Sequence, residues 1–312
     1  MCCALAKHDV NKIKRSLNME LKGIMTALVT PLKRDNSVDE GKLIDLIEFQ
    51  LKNNVNSLLI LGGTGEYTQL TFEERLNAVD IAVKAINGRV PLIAGVLEPG
   101  LGEAIKFGKA CRDAGADALL VLTPFYVHPT QGGIIDFYKK FNEEVNMKFM
   151  VYNIPYRTSV NALPETMEAL ADEIPNLVGI KECSPSLAQN IELLHRVGDR
   201  ISVMSGEEFL APSMMLLGAK GAVMATSCLV PDVWVSIYNA ASEKDADKVS
   251  QLIKKYFILF KLLFKEINPG PLKYAMKRIG IEAGELSIPL REPSDELKEE
   301  LDNKLMELGR IM

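Results

Sequence analysis

Tryptophan occurs once in 312 residues, and aromatic side chains make up only 6% of the chain. So few rings argue against the platforms on which proteins stack unpaired bases. Basic excess is missing too. There are 36 Lys and Arg against 41 Asp and Glu, a net charge of −5, so the overall basic footprint of a nucleic-acid binder is absent. The three histidines, His8, His128 and His195, are scattered singly, whereas a zinc site needs clustered ligands. No metal is therefore expected. The five cysteines, Cys2, Cys3, Cys111, Cys183 and Cys228, are odd in number, irregularly spaced and form no CxxC. That pattern reads as reduced thiols in a cytoplasmic protein, not as a disulfide framework. No apolar run reaches membrane-spanning length, and the most apolar stretch, YFILFKLLF (256–264), is broken by Lys261. The N-terminal residues lack the apolar core of a secretory signal. No GxGxxG follows the first apolar run and no GxxxxGK[ST] occurs anywhere, which removes support for dinucleotide and P-loop sites.

What is present is a large amount of core material. Hydrophobic residues make up 47% of the chain and charged residues 25%, the composition of an ordinary globular protein. Short apolar runs recur at 24–30, 58–61, 90–95, 118–123, 149–153, 177–181, 201–205 and 221–226. Each run is continuously apolar instead of alternating, as expected of parallel strands covered on both faces. Helix signals lie between them. Ser37 with Glu40, and Thr71 with Glu74, have capping-box spacing. Pro164 suits a first helical position, and Gly88, Gly115 and Gly218 stand where helices should end. NNVNSLLILGG, DAGADALLVLTP and LGAKGAVMATS echo one another as helix end, turn, strand and polar loop. Eight such units in about 200 residues predict a (β/α)8 TIM barrel. The expected organisation is an N-terminal extension over residues 1–18, the catalytic barrel over 19–230, and a C-terminal helical region over 231–312. Within that last region, 233–265 is helical in pattern, NPGP (268–271) breaks the chain, and helices follow at 272–280 and about 294–309.

A barrel of this kind carries its chemistry at the C-terminal ends of its strands. There the sequence offers Gly62-Gly63-Thr64-Gly65-Glu66, Thr123-Pro124-Phe125-Tyr126, Tyr152-Asn153 continuing to Arg157, Lys181-Glu182, and Ser205-Gly206-Glu207-Glu208. Lys181 closes an otherwise apolar strand. Burial disfavours an ammonium and frees the amine to attack a carbonyl as a Schiff-base nucleophile, although an ion pair with Glu182 or Glu207 would explain it equally. Tyr152 and Tyr126 can shuttle protons or simply be half-buried rings with satisfied hydroxyls. The glycine-rich turn can present N–H groups and the Thr64 hydroxyl to a carboxylate, or merely turn the chain. Arg157 can clamp a second carboxylate or form a surface ion pair.

Taken together, TALVTPL, GGTGEYTQLT, LTPFY, YNIPYRT, GIKE, SGEE and NPGPLKYAM, in that order, resemble the dihydrodipicolinate synthase / N-acetylneuraminate lyase family of pyruvate-dependent class I lyases. The resemblance runs from about Met19 to residue 310. YNxP followed by GIKE is its specific part. It implies a covalent imine between Lys181 and pyruvate with no other cofactor, and Tyr152 as general acid and base. It also implies that Gly63 and Thr64 hold the pyruvate carboxylate, and that the Val223 carbonyl lines the site. Tyr126 matches a tyrosine that reaches into a neighbouring subunit, which implies a homodimer or homotetramer. The expected partners are pyruvate and an aldehyde, without nucleic acid or membrane.

Arg157 matches the synthase branch, where the corresponding arginine binds the carboxylate of aspartate semialdehyde. Gly63 stands where that branch has a hydroxyl residue, and GGTGE occurs in relatives acting on deoxy-oxo sugar acids. The expectation is the synthase reaction, with a sugar-acid or N-acetylneuraminate-type aldolase as the alternative. A binding module on the same barrel is the alternative of another class, and the joint presence of Lys181, Tyr152 and Thr64 speaks against it. Where lysine-inhibited synthases carry polar groups at a subunit interface, this chain has Phe72, Arg75 and Pro99, although Glu103 remains.

Overall fold

Each apolar run becomes a strand with both faces covered, so backbone pairing to two parallel neighbours is the only way to satisfy its N–H and C=O groups. The computed structural model describes residues 20–312, so the expected extension at 1–18 lies outside the described residues. The strands are β1 (Gly23–Ala27), β2 (Ser57–Ile60), β3 (Leu92–Val96), β4 (Ala118–Leu122), β5 (Phe149–Asn153), β6 (Leu177–Glu182), β7 (Ser202–Ser205) and β8 (Gly221–Met224). They form one closed, all-parallel barrel in sequence order, with β8 returning to pair with β1. The eight expected strands are the eight observed, and the fold is the (β/α)8 barrel with a C-terminal helical part.

Around the barrel run α1 (Glu40–Lys52), α2 (Phe72–Ile86), α3 (Leu101–Ala114), α4 (Gln131–Val145), the single turn α5 (Pro155–Thr158), α6 (Pro164–Glu173), α7 (Leu187–Val197) and α8 (Ala211–Leu216). Next come α9 (Pro231–Ser242), α10 (Ala246–Leu263), α11 (Gly270–Arg278) and α12 (Asp295–Glu307). Thr71 caps α2 by accepting from the Glu74 N–H, a bond worth about 1 kcal/mol. The Glu74 carboxylate, however, goes to the Val38 N–H at 2.8 Å instead of closing a capping box. The Ser37–Glu40 pairing is corrected by the structure. Asp39 caps α1, because Val38 is committed to a bridge with Leu32 and the Ser37 hydroxyl donates to Asp35 at 2.6 Å. Pro164 does open α6, and Gly115 ends α3 with φ 103°, a left-handed backbone that glycine adopts without strain.

The stretch 233–265 divides into α9 and α10 at Lys244, whose φ is 58°. α9 follows β8 and packs on β1, which makes it the barrel's eighth helix. The lone Trp234 is fully buried on α9. Its indole N–H donates to the Thr226 hydroxyl at 2.7 Å, and its ring stacks on Phe260 of α10. The helices after β8 are thereby fixed to the barrel mouth. Among the described residues no helix is long and apolar enough to cross a membrane, and Cys111, Cys183 and Cys228 are buried free thiols.

Candidate active site

A cleft of about 900 Å³ opens at the C-terminal ends of the strands. Its walls include Gly63, Thr64, Tyr152, Arg157, Lys181, Glu207, Glu208 and Val223. Six of the seven expected site residues therefore meet in one place. Tyr126 does not join them. It lies in the loop after β4, 87% exposed and with φ 75°.

The register of β5 against β6 places Tyr152 beside Lys181. Both side chains are buried, and the Lys181 Nζ sits 4.4 Å from the centre of the Tyr152 ring. Burial pushes the Tyr152 phenol well above its ordinary value, with Cys183 adding to the rise, so it stays protonated at neutral pH. Behind Lys181 the packing is close: a side-chain carbon on Gly206 would fall 2.8 Å from the Lys181 Cε and 2.2 Å from the Cys183 sulfur.

Three carboxyl groups surround this pair. Burial raises Glu207, while the Tyr156 hydroxyl and Lys181 act to lower it. Burial pushes Glu208 up to about 7, although its carboxylate accepts from the Ala225 N–H at 3.0 Å and the Thr226 N–H at 3.3 Å. Glu182 is likewise pushed up to about 7 by burial. Its two oxygens accept from the Asn153 amide at 3.0 Å, and one also accepts from the Ser184 N–H. Asn153 in turn accepts from the Ala162 N–H at 2.9 Å, which pins both ends of the loop carrying Tyr156 and Arg157. The Glu182 carboxylate is thus engaged with Asn153, so of the two partners considered for Lys181, Glu207 is the one that shares the cleft. Arg157 is exposed and forms no ion pair with the described residues, so its guanidinium is free for a ligand anion.

The loop after β2 is held in an unusual shape. Leu61 and Glu66 both adopt left-handed backbone, with φ 61° and 57°, a conformation that persists only when surroundings over-determine it. Those surroundings are visible. The Thr30 hydroxyl donates to the Gly65 carbonyl at 2.7 Å. Glu66 accepts from the N–H and hydroxyl of Ser287 and pairs with Lys273 at 2.6 Å. Asn268 was not legible as a site residue. The NPGP motif reads as a chain breaker, yet the Asn268 amide donates to the Thr64 hydroxyl at 2.9 Å across 204 positions of sequence. No local signal distinguishes it from an ordinary turn asparagine. Arg291, Phe264 and Ile267 also line the cleft without having been singled out. Among the described residues no group of three or more His, Cys, Asp or Glu could hold a metal ion.

A buried lysine beside a buried tyrosine, in a cleft lined by a glycine-rich turn at the top of an eight-fold barrel, is the arrangement of an enzyme of the class I aldolase type: a Schiff-base lyase. The chain matches the dihydrodipicolinate synthetase family model over residues 20–308 and belongs to that family. It is 39% identical over 290 residues to 4-hydroxy-tetrahydrodipicolinate synthase of Methanocaldococcus jannaschii, a match covering 93% of this chain and 99% of the relative. The crystal structure of dihydrodipicolinate synthase from Aquifex aeolicus superposes with a TM-score of 0.90 at 36% identity, covering 94% and 99% of the two chains. The Acinetobacter baumannii enzyme complexed with pyruvate superposes with a TM-score of 0.89 at 35% identity, covering 93% and 99%.

Proposed function

We propose that this protein condenses pyruvate with aspartate semialdehyde, the reaction of a 4-hydroxy-tetrahydrodipicolinate synthase. The observation that carries the reading is the buried Lys181 amine against Tyr152, in a cleft that an unpaired Arg157 also lines.

In this mechanism the Lys181 amine attacks the C2 carbonyl of pyruvate. The carbinolamine loses water, and Tyr152, held protonated by burial, gives and recovers the proton that this exchange requires. Loss of a C3 proton from the imine gives an enamine. Its C3 attacks the aldehyde carbon, whose oxygen takes up a proton. The amino group of the condensed semialdehyde then adds to the C2 imine and displaces the Lys181 amine, which closes the ring and frees the lysine. The Thr64 hydroxyl and the N–H groups of Gly63 and Thr64 hold the pyruvate carboxylate, the Val223 carbonyl lines the site beside it, and Arg157 holds that of the aldehyde. Tyr126 is supported as a residue acting across a subunit interface by its exposure and left-handed backbone on the rim, which fits a homo-oligomer.

One observation favours a second reading. A side-chain carbon at Gly63 would meet nothing within 4 Å, so the cleft has room there for a hydroxyl of a sugar-acid substrate. The test is a screen of pyruvate with aspartate semialdehyde and short sugar aldehydes, together with borohydride trapping. Pyruvate plus borohydride is expected to modify Lys181, and Arg157→Ala is expected to weaken aspartate semialdehyde far more than pyruvate. Trapping at another lysine would overturn the mechanism, and equal loss for both substrates would make Arg157 structural.

A further inference from the structure

Thr64 has one hydroxyl hydrogen, and the direction it takes decides whether this side chain helps or hinders an anion. Its oxygen accepts a hydrogen bond from the Asn268 side-chain amide at 2.9 Å. A hydroxyl that accepts on one side keeps its own hydrogen for another acceptor. Thr64 is 8% exposed and Asn268 lines the same cleft, so that acceptor comes from the ligand side. The Asn268 Oδ1 is buried with no protein partner, so its bond to Thr64 is what orients the amide. We propose that Asn268 is a positioning residue: it holds the Thr64 hydroxyl as a donor toward the substrate carboxylate, without touching the reacting atoms itself. This rests on the pyruvate-binding reading given above.

The architecture allows a clean test, because the turn does not depend on Asn268 for its shape. Thr30 holds the Gly65 carbonyl, and Glu66 is tied to Ser287 and Lys273. Asn268→Ala should therefore fold normally and lose only the orienting bond. Asn268→Asp keeps the shape but replaces a donor with an acceptor, which would draw the Thr64 hydrogen away from the ligand. A packing role predicts that the isosteric Asp is milder than Ala. An orienting role predicts the reverse order.

The experiment measures the pyruvate concentration that gives half-maximal borohydride trapping on Lys181, with melting temperature as a check on folding. It uses wild type, Asn268→Ala, Asn268→Asp, Thr64→Val and the Thr64→Val/Asn268→Ala pair. Half-saturation should rise roughly tenfold for Asn268→Ala, the scale of one hydrogen bond to a charged group, and further for Asn268→Asp. The KM for the aldehyde should move much less. In the Thr64→Val background, Asn268→Ala should add little, because the hydroxyl it orients is gone. An Asp variant milder than Ala, or additive effects of the two substitutions, would overturn the proposal. Wild-type protein that traps no pyruvate would overturn both the proposal and the reading beneath it. Trapping in wild type with unchanged half-saturation in the Asn268 variants would overturn the proposal alone.

Discussion

Gly206→Ala is the smallest change that tests how Lys181 is held. The added methyl carbon would lie 2.2 Å from the Cys183 sulfur, 2.8 Å from the Lys181 Cε and 3.0 Å from its Cγ. Ordinary contact begins at 3.4 Å, so the sulfur must retreat by about 1.2 Å and the lysine stem by about 0.6 Å. Cys183 is 1% exposed and has little space to retreat into, while the Lys181 stem can move only toward the cleft that it lines, which carries the amine out of position. Overpacking of this kind costs about 1–3 kcal/mol of stability. A misplacement near 1 Å in a reacting group costs on the order of 100-fold in rate, so kcat/KM should fall by about 10- to 100-fold. The two effects separate in the Cys183→Ala/Gly206→Ala variant. Removing the sulfur relieves the worse contact and should recover most of the stability, while the clash with the Lys181 stem persists and activity stays low. Calorimetry and the steady-state condensation assay read the two quantities. Wild-type melting and wild-type kcat/KM in Gly206→Ala would refute the packing argument.

Gly63 lacks a positive φ and has open space at its side-chain position. Gly63→Thr should therefore leave the melting temperature within about 1 °C and keep or raise turnover of aspartate semialdehyde, while lowering any sugar-aldehyde reaction about tenfold or more; a Gly63→Thr protein inactive on aspartate semialdehyde would contradict the argument. Lysine at millimolar concentration should not inhibit. Arg75 is committed to an ion pair with Glu98 and stacks on Tyr67, and the Phe72 ring packs on Phe107; saturable inhibition would contradict this. The Glu208 carboxyl stands at about 7 in the folded protein against 4.5 for the free side chain, so the folded state binds the extra proton between these values. Its contribution is present below pH 4.5 and lost as pH rises through about 7. Glu208→Gln should match wild-type stability near pH 5 and exceed it by about 1–3 kcal/mol at pH 8 in thermal melts; equal stability at both would show that the carboxyl is not held neutral.

The barrel was legible because its signal is local. Eight apolar runs with helix caps between them need no long-range information, and even so the cap at Ser37 was misplaced by two residues. There the pattern of spacing was right, but a bridge between Leu32 and Val38 had already taken that stretch of backbone. The strand-end residues Lys181, Tyr152, Thr64 and Arg157 were legible because a barrel delivers every strand end to one rim. Asn268 was not, since its function depends on a return contact from the far end of the chain. The pairing of Tyr152 with Lys181 depends on barrel register, which adjacent sequence does not encode.

The same limit hid the tie between the C-terminal helices and the site. Lys273 on α11 and Glu66 after β2 form a pair with side-chain exposures of 4% and 0%. Besides pairing with Glu66, the ammonium donates to the carbonyls of Thr30 and Glu285 at 2.9 and 2.6 Å, so all three of its hydrogens are used. Burial lowers the Lys273 pKa while Glu66 opposes that shift, and the two groups must be kept or removed together. Lys273→Met would leave the Glu66 carboxylate buried beside only its Ser287 donors, a loss of about 3–5 kcal/mol. The left-handed turn at Glu66 would then relax, and half-saturation by pyruvate should rise together with the loss of stability. Glu66→Gln added to Lys273→Met removes the stranded charge and should restore part of the stability. The turn would still lack its tie to α11, so pyruvate binding should stay weak. Urea unfolding and borohydride trapping on the two variants measure these effects. A Lys273→Met protein as stable as wild type would mean that the pair contributes nothing to holding the turn.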